Sequence, residues 1–204
     1  GVVRLVPVRH DGRAGPAHPI GSGGLVCGRA EGQLVFADDP TVSPRHARFT
    51  PRGDGAVLED LGSLNGTFLR MRAPRPLALG DELRLGRQLL RLEAMGKPAD
   101  GQRPWGSPDP GYRVRLVQLL EGGGAGEAFP LAPGENALGR EAGRVTFPHD
   151  RYVSARHARL DVLETGVVVV DLGSSNGTFV RITAPVPVAV GDQVLVGMQL
   201  IRVE

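Results

Sequence analysis

Two side-chain types able to hold an anion, and an Asn-Gly turn, recur in this chain at one fixed spacing. Arg29 follows Gly28, Ser43 opens the run Ser-Pro-Arg-His-Ala, and Asn65 precedes Gly66. Arg140, Ser154 and Asn176 stand in the same contexts 111 residues later. An arginine fork offers charge-assisted donors to a phosphate dianion. A serine hydroxyl beside loop N–H groups can complete an anion nest. Ser175 adds a further hydroxyl in the second set, where the first has Leu64. Asn-Gly is a turn signal with positive φ, so Asn65 and Asn176 must sit on loops. Ser43, His46 and Asp60 also carry the residue types of a hydrolytic triad. Ser43 and His46 are only three apart at a loop-strand junction, with no Gly-x-Ser-x-Gly elbow and no helix to supply an oxyanion hole. No catalytic residue is assigned, and the chain is read as not an enzyme.

The fixed spacing extends well beyond these residues. Residues 1–93 align with 112–204 without a gap, and 43 of the 93 positions are identical. The sequence therefore reads as two copies of one domain, 1–93 and 112–204, joined by a linker at 94–111. About 93 residues can bury an adequate core without staples. The lone cysteine, Cys27, aligns with Leu138 and reads as an apolar core residue; one cysteine excludes an internal disulfide framework and a cysteine-rich zinc site. His10, His18 and His149 are not repeated and lack metal spacing. No metal and no cofactor is expected. The formal net charge of +2 argues against nucleic acid as the main partner, because backbone binding needs a concentrated basic face. No apolar run reaches membrane-spanning length, so no membrane insertion is expected in this segment. No signal peptide is visible. The expected location is cytoplasmic, with the chain, which starts on glycine, compatible with a fragment of a larger protein.

The elements that must position these side chains read as short strands. Residues 2–8, 46–50, 56–60, 67–70, 82–85 and 88–92 are strand candidates, separated by glycine and proline turns. No window sustains a period of 3.6 residues with caps. Each copy is all-β with roughly ten short strands, a pattern that suggests a sandwich. In the second copy, 112–120 is the first strand. Val167-Val168-Val169-Val170 reads as a strand buried on both faces. The linker holds four prolines and four glycines and cannot form a regular element. Trp105 lies in it and is expected to pack on one domain.

Gly-Arg, Ser-x-Arg-His-Ala, Asp-x-Gly-Ser-x-Asn-Gly-Thr-Phe and then Gly-Asp, in this order and twice, resemble the forkhead-associated (FHA) domain. The resemblance covers both copies and leaves only the linker outside. It implies a β-sandwich of about eleven strands that reads phosphothreonine in peptides through loops at one end. It implies that Arg29, Ser43 and Asn65, and Arg140, Ser154, Ser175 and Asn176, contact the phosphopeptide. It also implies that His46 and His157 brace the recognition loops. The partners expected are a phosphothreonine-containing protein or peptide and, upstream, a Ser/Thr kinase. Variable loop residues that would set sequence choice are Pro40, Thr41, Arg151, Tyr152, Arg70 and Arg181.

Two positions depart from the family's pattern. The residue after the loop serine is Pro44 or Ala155, where FHA domains often carry Asn, Arg or Lys. Leu64 stands where a hydroxyl is common. On these grounds the second copy holds the fuller site. The alternative reading is a phospho-independent FHA scaffold for assembly or dimerisation.

Overall fold

The computed structural model describes residues 1–204. It contains twenty strands and no helix. The first copy supplies β1 (Arg4–Val8), β2 (His18–Pro19), β3 (Leu25–Gly28), β4 (Leu34–Val35), β5 (Ala47–Arg52), β6 (Gly55–Asp60), β7 (Thr67–Arg70), β8 (Arg75–Leu77), β9 (Glu82–Leu85) and β10 (Gln88–Ala94). The second supplies β11 (Val114–Leu119), β12 (Ala125–Leu131), β13 (Gly134–Gly139), β14 (Val145–Thr146), β15 (Ala158–Leu163), β16 (Gly166–Asp171), β17 (Phe179–Arg181), β18 (Val186–Val188), β19 (Gln193–Val196) and β20 (Gln199–Val203). Ten strands per copy is the number read from the sequence, one short of the count the family resemblance implies.

The compact units do not follow the repeat. One unit consists of Gly1–Arg70 with Phe179–Glu204; the other is Met71–Thr178. The chain therefore leaves the first unit after β7 and returns to it at β17, and the C-terminal segments of the two copies are exchanged. The repeat of 1–93 and 112–204 and the compact units thus divide the chain at different places. The physical reason lies in the duplication. The hairpins β9–β10 and β19–β20 share their turn glycines and their apolar alternation, so either fits either sheet, and exchanging identical elements costs little.

In the first unit, β17, β7, β19, β20, β1 and β2 form one layer, and β18, β6, β5, β3 and β4 the other. The donated strands are fully integrated. Val194, Leu195 and Val196 pair with Leu69, Phe68 and Thr67, and Leu5 to Val8 pair with Val203 to Leu200. Ile182, Val188, Val194, Val196, Ile201 and Val203 from the second copy share a core with Leu5, Leu25, Phe49 and Leu58 from the first. In the second unit, β12, β11, β10 and β9 form one layer, and β14, β13, β15, β16 and β8 the other. Leu83, Leu85, Leu90 and Leu92 are buried there with Leu116, Leu131, Leu138, Leu160 and Val169.

Three local readings change. Val167 and Val169 are buried, but Val168 and Val170 are only half-buried, so β16 presents one face to the core rather than two. Trp105 is 98% exposed and packs on nothing, against the expectation from its large apolar ring. Positive φ falls on Gly66 and Gly177 and on no asparagine, so the Asn-Gly turns use the glycine alone for the left-handed conformation.

Candidate functional site

In the first unit the β3–β4 loop carries Arg29, the β4–β5 loop carries Ser43, and the β6–β7 loop carries Asn65. The residue before Arg29 must be glycine. A Cβ on Gly28 would collide with the carbonyl oxygen of Pro44. That close approach lets the two loops zip together: Arg29 N–H donates to Ser43 O at 2.9 Å, and Ala30 and Glu31 N–H donate to Pro44 O at 3.2 and 3.0 Å. Pro44 has no N–H to give, yet its carbonyl holds the arginine loop.

A buried histidine ties the third loop to the other two. His46 is completely buried. Its Nδ1 accepts the Ser43 N–H at 3.0 Å, and its Nε2 donates to Gly66 O at 2.8 Å. Those two partners require the neutral ring protonated on Nε2. Burial pushes its pKa down, against the Gly66 carbonyl and the Asp60 carboxylate, which pull it up. The second unit repeats the arrangement, with His157 accepting Ser154 N–H at 3.0 Å and donating to Gly177 O at 2.9 Å. These bonds also exclude the triad. The histidine has both nitrogens committed to backbone groups, and neither reaches a serine hydroxyl.

Asp60 organises the β6–β7 loop. It accepts from Gly62 N–H at 3.0 Å, Ser63 N–H at 2.9 Å, the Ser63 hydroxyl and the Thr67 hydroxyl at 2.7 Å. The Ser63 oxygen then accepts Gly66 N–H at 3.0 Å. Burial alone would raise the Asp60 pKa, but the hydrogen bonds from Ser63 and Thr67 outweigh it and hold the carboxyl below its usual range. Asp171 does the same with Thr178 and Ser174. Cys27, buried in the apolar core beneath, has its thiol pushed up to about 12 by desolvation and is unreactive.

Ser43 Oγ accepts the Leu64 N–H at 3.0 Å, which fills one lone pair and leaves its proton to donate. Ser154 Oγ accepts Ser175 N–H at 3.1 Å in the same manner, and Ser175 carries a hydroxyl where the first unit has Leu64. Asn65 spends one Nδ2 hydrogen on Thr41 O at 2.8 Å, and Asn176 one on Tyr152 O at 3.0 Å. Each asparagine keeps its Oδ1 and a second N–H. The half-buried Arg29 guanidinium makes no ion pair. Arg140 reaches Arg151 O at 3.4 Å and Glu141 at 3.5 Å. Each unit thus gathers an arginine, a serine hydroxyl and an asparagine amide on three zipped loops, the donor set an oxyanion needs. No group of three or more His, Cys, Asp or Glu is placed to hold a metal.

The FHA domain model matches residues 25–86 and 137–197, more than half of the chain. The chain belongs to the FHA family. It is 33% identical over 94 residues to the FHA domain-containing protein FhaB of Mycolicibacterium smegmatis, covering 45% of this chain and 61% of that protein. It is 35% identical over 101 residues to the glycogen accumulation regulator GarA of Mycobacterium tuberculosis, covering 48% and 60%. It is 34% identical over 99 residues to an oxoglutarate dehydrogenase inhibitor of Corynebacterium glutamicum, covering 47% and 67%. The match spans about three fifths of the length of FhaB and GarA. A structure solved in work on phosphothreonine-dependent FHA domain interactions shares 29% identity over 44% of this chain and 95% of that one, with a TM-score of 0.29. The FHA assignment also accords with a non-catalytic site. No helix is long and apolar enough to cross a membrane.

One contributor was missed from the sequence. The β19–β20 turn of the second copy buttresses the first copy's β4–β5 loop, where Met198 N–H donates to Asp39 Oδ2 and Thr41 Oγ1, both at 3.1 Å, and Gln199 Nε2 donates to Asp39 at 2.8 Å. Burial raises the Asp39 pKa, but bonds from Thr41 and Gln199 leave it lowered overall. In the second unit Arg87 N–H and Gln88 Nε2 each reach Asp150 at 2.8 Å. Asp39 and Asp150 are identical between the copies, and that repetition was the available signal.

Proposed function

We propose that this chain is a tandem phosphothreonine-peptide reader that binds products of a Ser/Thr kinase and performs no chemistry. The observation that carries the reading is the bond of Arg29 N–H to Ser43 O at 2.9 Å, which joins the two loops, together with an Arg29 guanidinium in no ion pair and a Ser43 hydroxyl that takes the Leu64 N–H. That set offers the guanidinium N–H groups and the hydroxyl proton as donors, which suits a dianion. The asparagine Oδ1 is left to accept a peptide N–H. The relatives named as a regulator and an inhibitor fit a binding module.

The second unit is the fuller site, because Ser175 adds a hydroxyl next to Ser154. Arg140 must give up Glu141 when phosphate arrives. That pair is largely exposed and costs less than about 1 kcal/mol to break, whereas a hydrogen bond to a charged group is worth about 1.5–3 kcal/mol. The added hydroxyl wins. In the first unit Leu64 is 84% exposed at the same rim. This favours a second reading for that unit alone, a phospho-independent contact with a protein partner.

Fluorescence anisotropy with a labelled phosphothreonine peptide pool, its dephosphorylated form and its phosphoserine form tests the proposal. Binding should require the phosphate and prefer threonine. Equal binding of phosphorylated and dephosphorylated pools would refute it.

A further inference from the structure

Beside each recognition loop lies a concavity built the same way twice. In the second unit it has a volume of about 600 Å³ and is lined by Arg87 and Gln88 from one copy and by His149 to Tyr152 from the other. In the first unit it has about 450 Å³ and is lined by Met198 and Gln199 and by Asp38, Asp39 and Pro40. Arg87 aligns with Met198 and Arg151 with Pro40. The architecture is shared and the chemistry is not.

In the second unit two guanidinium groups flank one ring. The Arg87 Cζ lies 5.1 Å from the Tyr152 ring centroid, and the Arg151 Cζ lies 5.0 Å from it. Arg151 Nη2 also donates to the Tyr152 hydroxyl at 2.8 Å. Neither guanidinium pairs with a carboxylate. Asp150 is occupied by Arg87 N–H, Gln88 and Tyr152 N–H. Glu127 lines the concavity without forming an ion pair with either arginine. Two unneutralised cations held on an aromatic face make an anion platform. It adjoins the phosphate loops, since Tyr152 O accepts from Asn176 and Arg151 O from Arg140. In the first unit the counterpart Met198 is 56% exposed, and Asp38 stands where the second unit has His149.

We infer that the concavity of the second unit is a subsite for an anionic side chain of the bound peptide, that the first unit's is not, and that its selecting residue Arg87 is supplied by the other copy. The inference rests on the phosphopeptide reading. The two FHA sites then read different sequences, and each is tuned by a hairpin from its neighbour in the chain. A carboxylate and a second phosphate share the chemistry that this platform recognises.

The test uses the full chain with Arg29→Ala to silence the first site. Alanine-flanked phosphothreonine peptides carry a single Glu, or a single phosphoserine, at each flanking position in turn. At one or two adjacent positions Glu should tighten binding about fivefold over Ala, with a larger gain for phosphoserine, and both gains should shrink in high salt. In Arg87→Met, which installs the first unit's own residue, the Glu-to-Ala affinity ratio should fall to about one. Gains from phosphoserine but not Glu would assign the platform to a second phosphate. Phosphothreonine binding with no positional response to either, or a response that survives Arg87→Met, overturns the inference alone. Failure of every phosphothreonine peptide to bind overturns the phosphopeptide reading and the inference with it.

Discussion

Cutting the linker should not release two domains. Residues 95–113 contain no strand, and the exposed stretch around Gly101 and Gln102 can accept an inserted protease site. After cleavage, the N-terminal fragment would still hold β8–β10 inside the second unit, and the C-terminal fragment would still hold β17–β20 inside the first. Withdrawal of residues 179–204 strips Ile182, Val188, Val194, Val196, Ile201 and Val203 from the first core. At about 1.5–3 kcal/mol for each buried aliphatic side chain, that is roughly 9–18 kcal/mol. Whole domains are stable by only about 5–15 kcal/mol, so the fragments cannot part while the unit stays folded. Size-exclusion chromatography of the cut protein should therefore show the uncut mass, with separation only in denaturant. A paired cysteine experiment removes the alternative of simple surface adhesion. Val8 faces Leu200 across β1 and β20, whereas an unexchanged fold would place it opposite Leu89. Val8→Cys with Leu200→Cys should link the two fragments covalently under mild oxidation, whereas Val8→Cys with Leu89→Cys, both in the N-terminal fragment, should form no disulfide within it. Two folded half-mass species after cutting, or the reverse crosslinking pattern, would refute the exchange.

Three further outcomes follow from the site. His46→Ala strands the Ser43 N–H and the Gly66 carbonyl in a buried place, at about 1–3 kcal/mol each, so denaturant melts should show a loss of roughly 2–6 kcal/mol. The lowered pKa of His46 also fixes a sign. The unfolded state takes up the proton first, so its contribution is complete above the unfolded value of about 6.5 and is lost as pH falls through the lower folded value. Thermal midpoints should drop on going from pH 7.5 to 5.5, and a flat profile would contradict the assignment of a neutral ring. Leu64→Ser copies Ser175 into the first unit and should tighten phosphopeptide binding there about tenfold in an Arg140→Ala background; titration showing no gain would remove the argument for ranking the second unit higher.

The arrangement of the loops that carry Ser43 and Asn65 was legible because their chemistry is local. Ser43, His46, Asp60 and Asn65 lie within 23 residues, and their mutual hydrogen bonds leave little choice of arrangement. β7 and β9 were bounded correctly, since glycine turns and apolar alternation mark both ends. β8 was missed because Pro74 and Pro76 argue against a strand; it survives as an edge strand on β16, where a missing N–H is tolerated. The half-exposure of Val168 and Val170 was hidden because a run of four valines carries no alternation to read. The exchange could not be read at all. Hairpins this similar satisfy the same pattern in either sheet, and with it went the role of Arg87, which sits far from the second recognition loop in sequence and beside it in the fold.

The central claim is phosphate reading by both arginine loops, with the second the stronger. Isothermal titration of a degenerate phosphothreonine peptide pool into the intact chain, into Arg29→Ala and into Arg140→Ala tests it most directly. The account predicts that binding survives Arg29→Ala with little loss of affinity and falls by at least tenfold in Arg140→Ala. Binding indifferent to both substitutions would contradict it.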